Sequence, residues 1–105
     1  MTPKNALARL AKEPLEFVTL FAHGSMELEV YKPEKVDNQH PHDRDEIYVI
    51  ISGQGEFVHN DDRLTFGPGD FLFVPAGDVH RFENFTEDFA TWVIFYGPKG
   101  GERPK

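Results

Sequence analysis

Two stretches near the middle of the chain decide its fold: HPHDRDEIYVIISG at residues 40–53 and GDFLFVPAGDVHRFEN at residues 69–84. Each joins strand-forming residues to glycine and proline, which interrupt strands at turns. Each also carries histidine near other polar residues, and the candidate metal ligands are His40, His42, Glu46 and His80. Three imidazoles and one carboxylate form a ligand set of intermediate softness, which suits Zn, Fe, Ni, Cu or Mn. The pattern therefore predicts a metal site carried by β-strands.

The spacing of these residues agrees with the geometry of strands and turns. Side chains alternate along a strand, so we expect His40 and His42 to point to one face with Cα atoms about 6.5–7 Å apart. The polar residues 43–45 suit a turn, and Glu46 is then expected to open the next antiparallel strand. His80 would arrive from a distant strand. A lone H-x-H pair is weak evidence, but the joint pattern has a chance probability on the order of one in ten million.

These residues resemble the two motifs of the cupin family, G-x5-H-x-H-x3,4-E-x6-G and G-x5-P-x-G-x2-H-x3-N. The second motif is matched at every fixed position, by Gly69, Pro75, Gly77, His80 and Asn84. The first is matched at four of five positions, because Glu34 stands where the pattern has its opening glycine. The resemblance covers roughly the central half of the chain. It identifies a small single-domain member of the cupin superfamily, a monocupin of the cupin_2 type.

The fold that this resemblance implies is all-β, a single jelly-roll (cupin) β-barrel with a short N-terminal helix. The residues support it, since about nine short strand patterns separated by turns indicate a barrel or sandwich. Thr2-Pro3 is typical of a helix start, and Pro14 would end that helix. The expected organisation is an N-terminal helical segment at 1–14, a cupin β-barrel domain at 15–97 and a flexible C-terminal tail at 98–105.

Composition excludes several classes of partner. The net charge of −7 argues against nucleic acid and anionic membranes as main partners. No stretch approaches the ~20 apolar residues of a membrane span, and residues 1–11 lack the apolar core of a signal peptide. The chain has no cysteine, which fits a reducing compartment and excludes thiolate ligands. We therefore expect a cytoplasmic protein.

Alternation within the strands predicts which side chains face the barrel interior. The residues expected to point inward are Glu46, Tyr48, His80 and Phe82. Those expected to point outward are Ile47, Arg81 and Glu83. Ile47, Val49 and Ile51 share an apolar outer face, and such faces and open strand edges are normally covered. We therefore expect a symmetric homodimer, as is common among cupins.

The resemblance implies one divalent transition metal per chain (Zn, Fe, Mn or Ni), with a coordination position left open for substrate. Tyr48 and His59 are the candidates for catalytic proton transfer, although core packing and surface exposure explain such residues more often. Arg44 lies between two ligands, where it would meet an anionic substrate or solvent. The favoured function is a small metal-dependent enzyme of the oxygenase type, acting on a small polar or carboxylated molecule. The alternatives are a metal-dependent isomerase or decarboxylase, and a non-catalytic barrel that binds or senses a small ligand such as a sugar.

Overall fold

The computed structural model of the protein describes residues 1–103, which form one helix and eight strands. In chain order these are α1 (Pro3–Leu10), β1 (Phe17–His23), β2 (Met26–Tyr31), β3 (Asp45–Ser52), β4 (Gly55–His59), β5 (Asp62–Phe66), β6 (Phe71–Val74), β7 (His80–Glu83) and β8 (Ala90–Tyr96). The strands build two antiparallel sheets, in the orders β1-β2-β8-β3-β6 and β5-β4-β7. The prediction of an all-β barrel with a short N-terminal helix is confirmed.

Helix α1 begins as the sequence predicts. The side chain of Thr2 caps it by accepting a hydrogen bond from the backbone N–H of Asn5 at 3.1 Å, and proline occupies the first turn. Ala6 and Leu10 pack against Val30 of β2 and are buried there. The helix therefore lies on the outer surface of the five-stranded sheet. Within residues 1–103, no helix is long and apolar enough to cross a membrane.

This packing sets the orientation of β2. Val30 faces the helix, so the alternating residues Glu29 and Tyr31 face the interior of the barrel. Tyr31 joins the main core cluster, whereas Glu29 reaches an internal cavity. The more apolar face of this strand is thus turned away from the barrel, and a carboxylate is turned into it.

The barrel core is aromatic, and its centre is Phe82 of β7. The ring of Phe82 lies 4.9 Å from Tyr48, 5.0 Å from Phe57 and 4.7 Å from Phe89, measured between ring centroids. Edge-to-face and tilted contacts of this kind are the favoured geometries for aromatic pairs. Glu46, Tyr48 and Phe82 are all at most 1% exposed, which confirms the predicted register of β3 and β7.

The outer face of the five-stranded sheet is only partly covered. Ile51 packs near the α1 cluster, so the helix covers that end. Ile47 pairs with Phe73 and Val49 with Phe71 across β3 and β6, and the two phenylalanines are 42% and 62% exposed. The apolar face expected from the sequence therefore extends onto the edge strand β6.

The glycine that ends the first motif has a clear structural role. Gly53 has a φ of +84°, and a Cβ atom there would lie 2.5 Å from the Cα of Phe89. Any side chain would therefore collide with the backbone of the segment leading into β8. Gly77 also has a positive φ, at +85°. Its N–H donates to the carbonyl of His42 at 2.7 Å, which ties the second motif to the first.

The prediction that His40 and His42 lie on a strand is wrong. Residues 38–42 are irregular, so the chain has eight strands in the described range rather than about nine. Pro41 has no N–H to give to a sheet ladder. The buried carboxylate of Asp37 instead accepts hydrogen bonds from the Gln39 backbone at 3.1 Å and from the Gln39 side chain at 2.7 Å. Side-chain hydrogen bonds therefore replace strand pairing here.

The division into segments 1–14, 15–97 and 98–105 stays a prediction. Of the expected flexible tail, residues 104–105 lie outside the described range. Within that range, the N–H of Gly100 donates to the carbonyl of Asp43 at 2.6 Å. The N–H of Glu102 donates to the carboxylate of Asp45 at 2.8 Å. These contacts hold the start of the tail against the turn that precedes β3.

Candidate metal centre

Three of the four predicted ligands come together at one end of the barrel. His42 lies in the irregular segment before β3, Glu46 near the start of β3, and His80 at the start of β7. One ligand atom from each lies within 4.8 Å of the others. Because β3 and β7 belong to different sheets, the group joins the two layers of the barrel. This is a candidate metal site.

Glu46 is the centre of the group. Its Oε1 atom lies 3.1 Å from His42 Nδ1 and 3.1 Å from His80 Nε2. The second of these contacts does not have hydrogen-bond geometry, so His80 Nε2 has no hydrogen-bond partner within residues 1–103. Glu46 Oε2 also lacks a partner in that range, although both side chains are at most 1% exposed. Buried polar atoms are rarely left in this state.

The other ring nitrogen of His80 is held by the backbone. Nδ1 lies 3.0 Å from the carbonyl oxygen of Asp78, which can only accept a hydrogen bond. A neutral ring would therefore carry its proton on Nδ1 and present the lone pair of Nε2 to the group. Metal-binding histidines are oriented in this way.

The pKa values of Glu46 and His80 depend on the contact between these two side chains. Burial alone would raise the pKa of Glu46, but its hydrogen bond with His42 and its close contact with the ring of His80 outweigh burial and lower that pKa to about 2. Burial likewise opposes protonation of His80, yet its contacts with Glu46 and Asp78 give it a raised pKa. The carboxylate is thus ionised, and its negative charge is available to a metal ion.

These observations fit a bound divalent ion. Two imidazoles and a carboxylate are a common ligand set for transition metals, and the two unpartnered atoms point to a missing polar partner. His40 is exposed and is not part of the group. The four-ligand set stays a prediction, and three of its members form the candidate site.

A cavity of about 590 Å³ opens beside this group. His42 and Glu46 form part of its wall, which links the candidate site to a space of substrate size. The rest of the wall comes from β1, β2, β8 and the two segments that lead into β1 and β3: Pro14, Leu15, Glu16, Phe17, Glu29, Tyr31, Asn38, Gln39, Asp43, Arg44, Val93 and Phe95.

Neither proton-transfer candidate lines the cavity. Tyr48 is fully buried, and its hydroxyl donates to the side chain of Gln39 at 2.9 Å. Burial and the nearby Glu46 raise the pKa of Tyr48, so its phenol keeps its proton. His59 is half-buried outside the cavity, where its Nε2 lies 2.7 Å from a carboxylate oxygen of Asp78. Their assignment as catalytic groups stays a prediction without support from this geometry.

The structure adds Glu29 to the site and places Arg44 in the cavity wall. Glu29 is half-buried in the cavity wall, and burial raises the pKa of its carboxyl group. Glu29 alternates with the apolar residues Leu28 and Val30, and nothing in that pattern marks it as a residue of a cavity wall. Arg44 lies over the ring of Phe95, 5.3 Å from its centroid, and therefore belongs to the wall rather than to open solvent.

Asp37 is a further residue that sequence reasoning missed. Besides Gln39, its carboxylate accepts hydrogen bonds from the Tyr31 hydroxyl at 2.6 Å and from the Phe82 N–H at 2.8 Å. It thereby ties the segment that carries His42 to β2 and β7. No pattern in the sequence marks this aspartate, because its partners come from distant strands.

Parts of two known proteins are similar to this chain in sequence. The chain is 38% identical over 61 residues to the dimethylsulfoniopropionate lyase DddQ of Ruegeria pomeroyi, a match covering 55% of this chain and 29% of that protein. It is 37% identical over 82 residues to the acireductone dioxygenase of Leishmania infantum, covering 63% and 24%. The chain thus spans less than a third of the length of either relative.

A solved structure supports the fold independently. The protein NMB1881 of Neisseria meningitidis superposes with a TM-score of 0.72 at 22% identity, over 92% of this chain and 98% of that one. This likeness shows the fold. The model of the Cupin_2 family, described as a cupin domain, matches residues 27–96, which contain both motifs and all three residues of the candidate site. The chain belongs to the cupin family.

Proposed function

We propose that this cupin is a small metal-dependent enzyme acting on a small molecule in the cavity beside Glu46. The observation that carries the proposal is the pair of unpartnered buried atoms, Glu46 Oε2 and His80 Nε2, beside a cavity of about 590 Å³. His42, Glu46 and His80 would hold one divalent ion of Zn, Fe, Mn or Ni. His40 would complete the set if residues 38–42 rearranged on binding.

When bound, the ion would supply a Lewis acid and an open position for substrate or oxygen. The protein would supply the rest. Asn38 and Gln39 line the cavity, and the buried ring of Phe95 forms an apolar part of its wall. Glu29 is a half-buried carboxyl group in the cavity wall, and burial raises its pKa.

The reaction type is proposed from the relatives. One is named a dioxygenase and another a lyase, so cupin domains similar to this one occur in enzymes. We propose an oxygenase-type reaction first, with elimination as its competitor. The proposal also includes a homodimer, through the apolar face of Ile47, Val49, Phe71 and Phe73, and a cytoplasmic location.

The experiment begins with the metal. Metal-free protein is loaded separately with Fe(II), Mn(II), Ni(II) and Zn(II), and bound metal is measured per chain. We expect one ion per chain, with a strong loss of metal in His42→Ala and His80→Ala. His23→Ala is the matched control, because His23 is an exposed histidine outside the group. Equal metal content in the His80→Ala variant and the wild type would contradict the site.

The second step separates catalysis from binding. Each metal form is incubated with small polar molecules, and oxygen uptake and product formation are followed. Turnover that requires one metal and disappears in Glu46→Ala would support the enzyme. Ligands that raise the melting temperature without turnover in any metal form would instead indicate a non-catalytic binding barrel.

A further inference from the structure

The cavity wall has an unusual charge balance. Four carboxylates line it, and the one permanently cationic side chain in the described wall is Arg44. The acidic residues are Glu16, Glu29, Asp43 and Glu46. A divalent ion at the metal site would add two positive charges, yet the carboxylates would still outnumber the positive charges. The cavity therefore keeps a negative potential in the metal-bound protein.

The guanidinium group of Arg44 already has partners within the protein. Its guanidinium group donates to the carbonyl of Ser25 at 3.1 Å and lies 3.4 Å from a carboxylate oxygen of Glu27. It also stacks on the ring of Phe95. Arg44 therefore neutralises a carboxylate outside the wall, and little of its charge remains for those inside.

Glu29 is the half-buried carboxylate of the wall that has no ionic partner, whereas Glu16 and Asp43 are exposed and Glu46 contacts two histidines. No lysine, arginine or histidine nitrogen within residues 1–103 lies within 4.0 Å of its carboxylate. Its one hydrogen bond in that range is a long contact of 3.4 Å from the hydroxyl of Thr19. A half-buried carboxylate normally has an ionic or strong hydrogen-bond partner. Glu29 has no ionic partner in that range, so its negative charge is available to a cation in the cavity.

Aromatic rings accompany this charge. Tyr31 is two residues from Glu29 on the same face of β2, and Phe17 stands opposite Tyr31 on β1. Both side chains line the cavity. Carboxylates together with aromatic rings are the surroundings that amines and onium groups favour, because both attract a cation that carries apolar substituents.

We propose that the substrate is a small molecule with a positively charged amine or onium group, which binds against Glu29 while its other end reaches the metal site. This inference rests on the proposed function and names its substrate class. The unpartnered buried atoms of Glu46 and His80 fix the metal end of the cavity. Glu29, Tyr31 and Phe17 fix the cationic end. A simple dicarboxylate would be repelled by the same wall.

Two isosteric probes test the charge alone. Glycine betaine and 3,3-dimethylbutanoate have the same shape and the same carboxylate, and differ by a quaternary nitrogen in place of carbon. Each is titrated calorimetrically into Zn(II)-loaded protein. We expect glycine betaine to bind at least about tenfold more tightly, which corresponds to about 1.4 kcal/mol. Choline and 3,3-dimethylbutan-1-ol repeat the comparison without a carboxylate.

The variant Glu29→Gln keeps the shape of the side chain and removes its charge. It should retain one metal per chain and lose most of the preference for glycine betaine. Glu87→Gln, an exposed carboxylate outside the cavity wall, is the matched control and should keep that preference. A preference that survives intact in Glu29→Gln would overturn the assignment of the cationic end.

Metal content measured on the same samples distinguishes a failure of the inferred substrate class from a failure of the proposed metal-dependent function. Wild-type protein that holds zinc but binds 3,3-dimethylbutanoate as well as, or better than, glycine betaine overturns the inference and leaves the metal site standing. The absence of detectable glycine betaine binding to zinc-loaded protein likewise overturns the inference and leaves the metal site standing. Wild-type protein that takes up no metal overturns the proposed function and the inference together.

Discussion

Replacement of Asp37 by alanine tests how the segment carrying His42 is held in place. Asp37 is 7% exposed, and its carboxylate accepts hydrogen bonds from the Tyr31 hydroxyl, the Phe82 N–H and both the backbone and side chain of Gln39. In Asp37→Ala these donors lose their acceptor. Two of them, on Tyr31 and Phe82, belong to buried residues.

The magnitude follows from those two donors. A hydrogen bond to a charged group contributes about 1.5–3 kcal/mol, and a buried donor left unpaired costs a similar amount. Two such losses give roughly 3–6 kcal/mol. Removing a buried carboxylate offsets part of this, because the charge no longer has to be desolvated on folding. We therefore expect Asp37→Ala to lower the free energy of unfolding by about 3–4 kcal/mol.

The assay is urea unfolding with a chelator present, because bound metal would stabilise the folded state by mass action. A lower midpoint at an unchanged m-value reports the loss of stability. Asp61→Ala in the exposed turn between β4 and β5 is the control and should stay within about 0.5 kcal/mol of the wild type. A double-mutant cycle with Tyr31→Phe should give a coupling energy of about 0.5–3 kcal/mol. A loss below about 1 kcal/mol for Asp37→Ala, or strict additivity with Tyr31→Phe, would refute the reasoning.

Three further outcomes are expected. Phe82→Ala removes the central ring of the core and should cost about 3–5 kcal/mol in urea unfolding; a cost near zero would mean that the core is packed differently. In metal-free protein, Glu46 and His80 should stabilise the fold most between their ordinary pKa values of 4.5 and 6.5. That contribution decreases as the pH falls toward 2, because the lowered pKa of Glu46 is then crossed, and it decreases again as the pH rises through the raised pKa of His80; thermal unfolding across this range should show both limbs. The double variant Phe71→Glu, Phe73→Glu should sediment as a monomer where the wild type sediments as a dimer, and a wild type that is already monomeric at micromolar concentration would contradict the homodimer.

Much of the fold could be predicted because it is encoded locally. Thr2 and Pro3 mark the helix start with a hydroxyl and a fixed φ, and alternation in β3 distinguishes inward Tyr48 from outward Ile47. The positive φ at Gly77 follows from the turn between two strand patterns. In each case the interactions that determine the local structure involve residues close to that position in the sequence.

The remaining features depend on contacts between distant segments. The irregular path through His40 is set by Asp37, whose partners lie on β2 and β7. Alternation in β2 favours burial of its apolar face, but α1 covers Val30 on the outside of the sheet, so Glu29 faces the interior of the barrel. For the same reason, the sequence predicted four ligands from spacing, while the structure groups three and leaves His40 at the surface.

The position of β8 has a consequence for biosynthesis. It comes last among the described strands, yet it lies in the middle of the five-stranded sheet, between β2 and β3. While the chain is being translated, β1 and β2 can pair with each other but have no further neighbour in that sheet until Tyr96 has emerged from the ribosome. The β1–β2 hairpin therefore keeps one edge unpaired while more than sixty further residues are synthesised. Such an edge is open to unwanted pairing, so newly made chains should depend on chaperones most strongly just before β8 emerges.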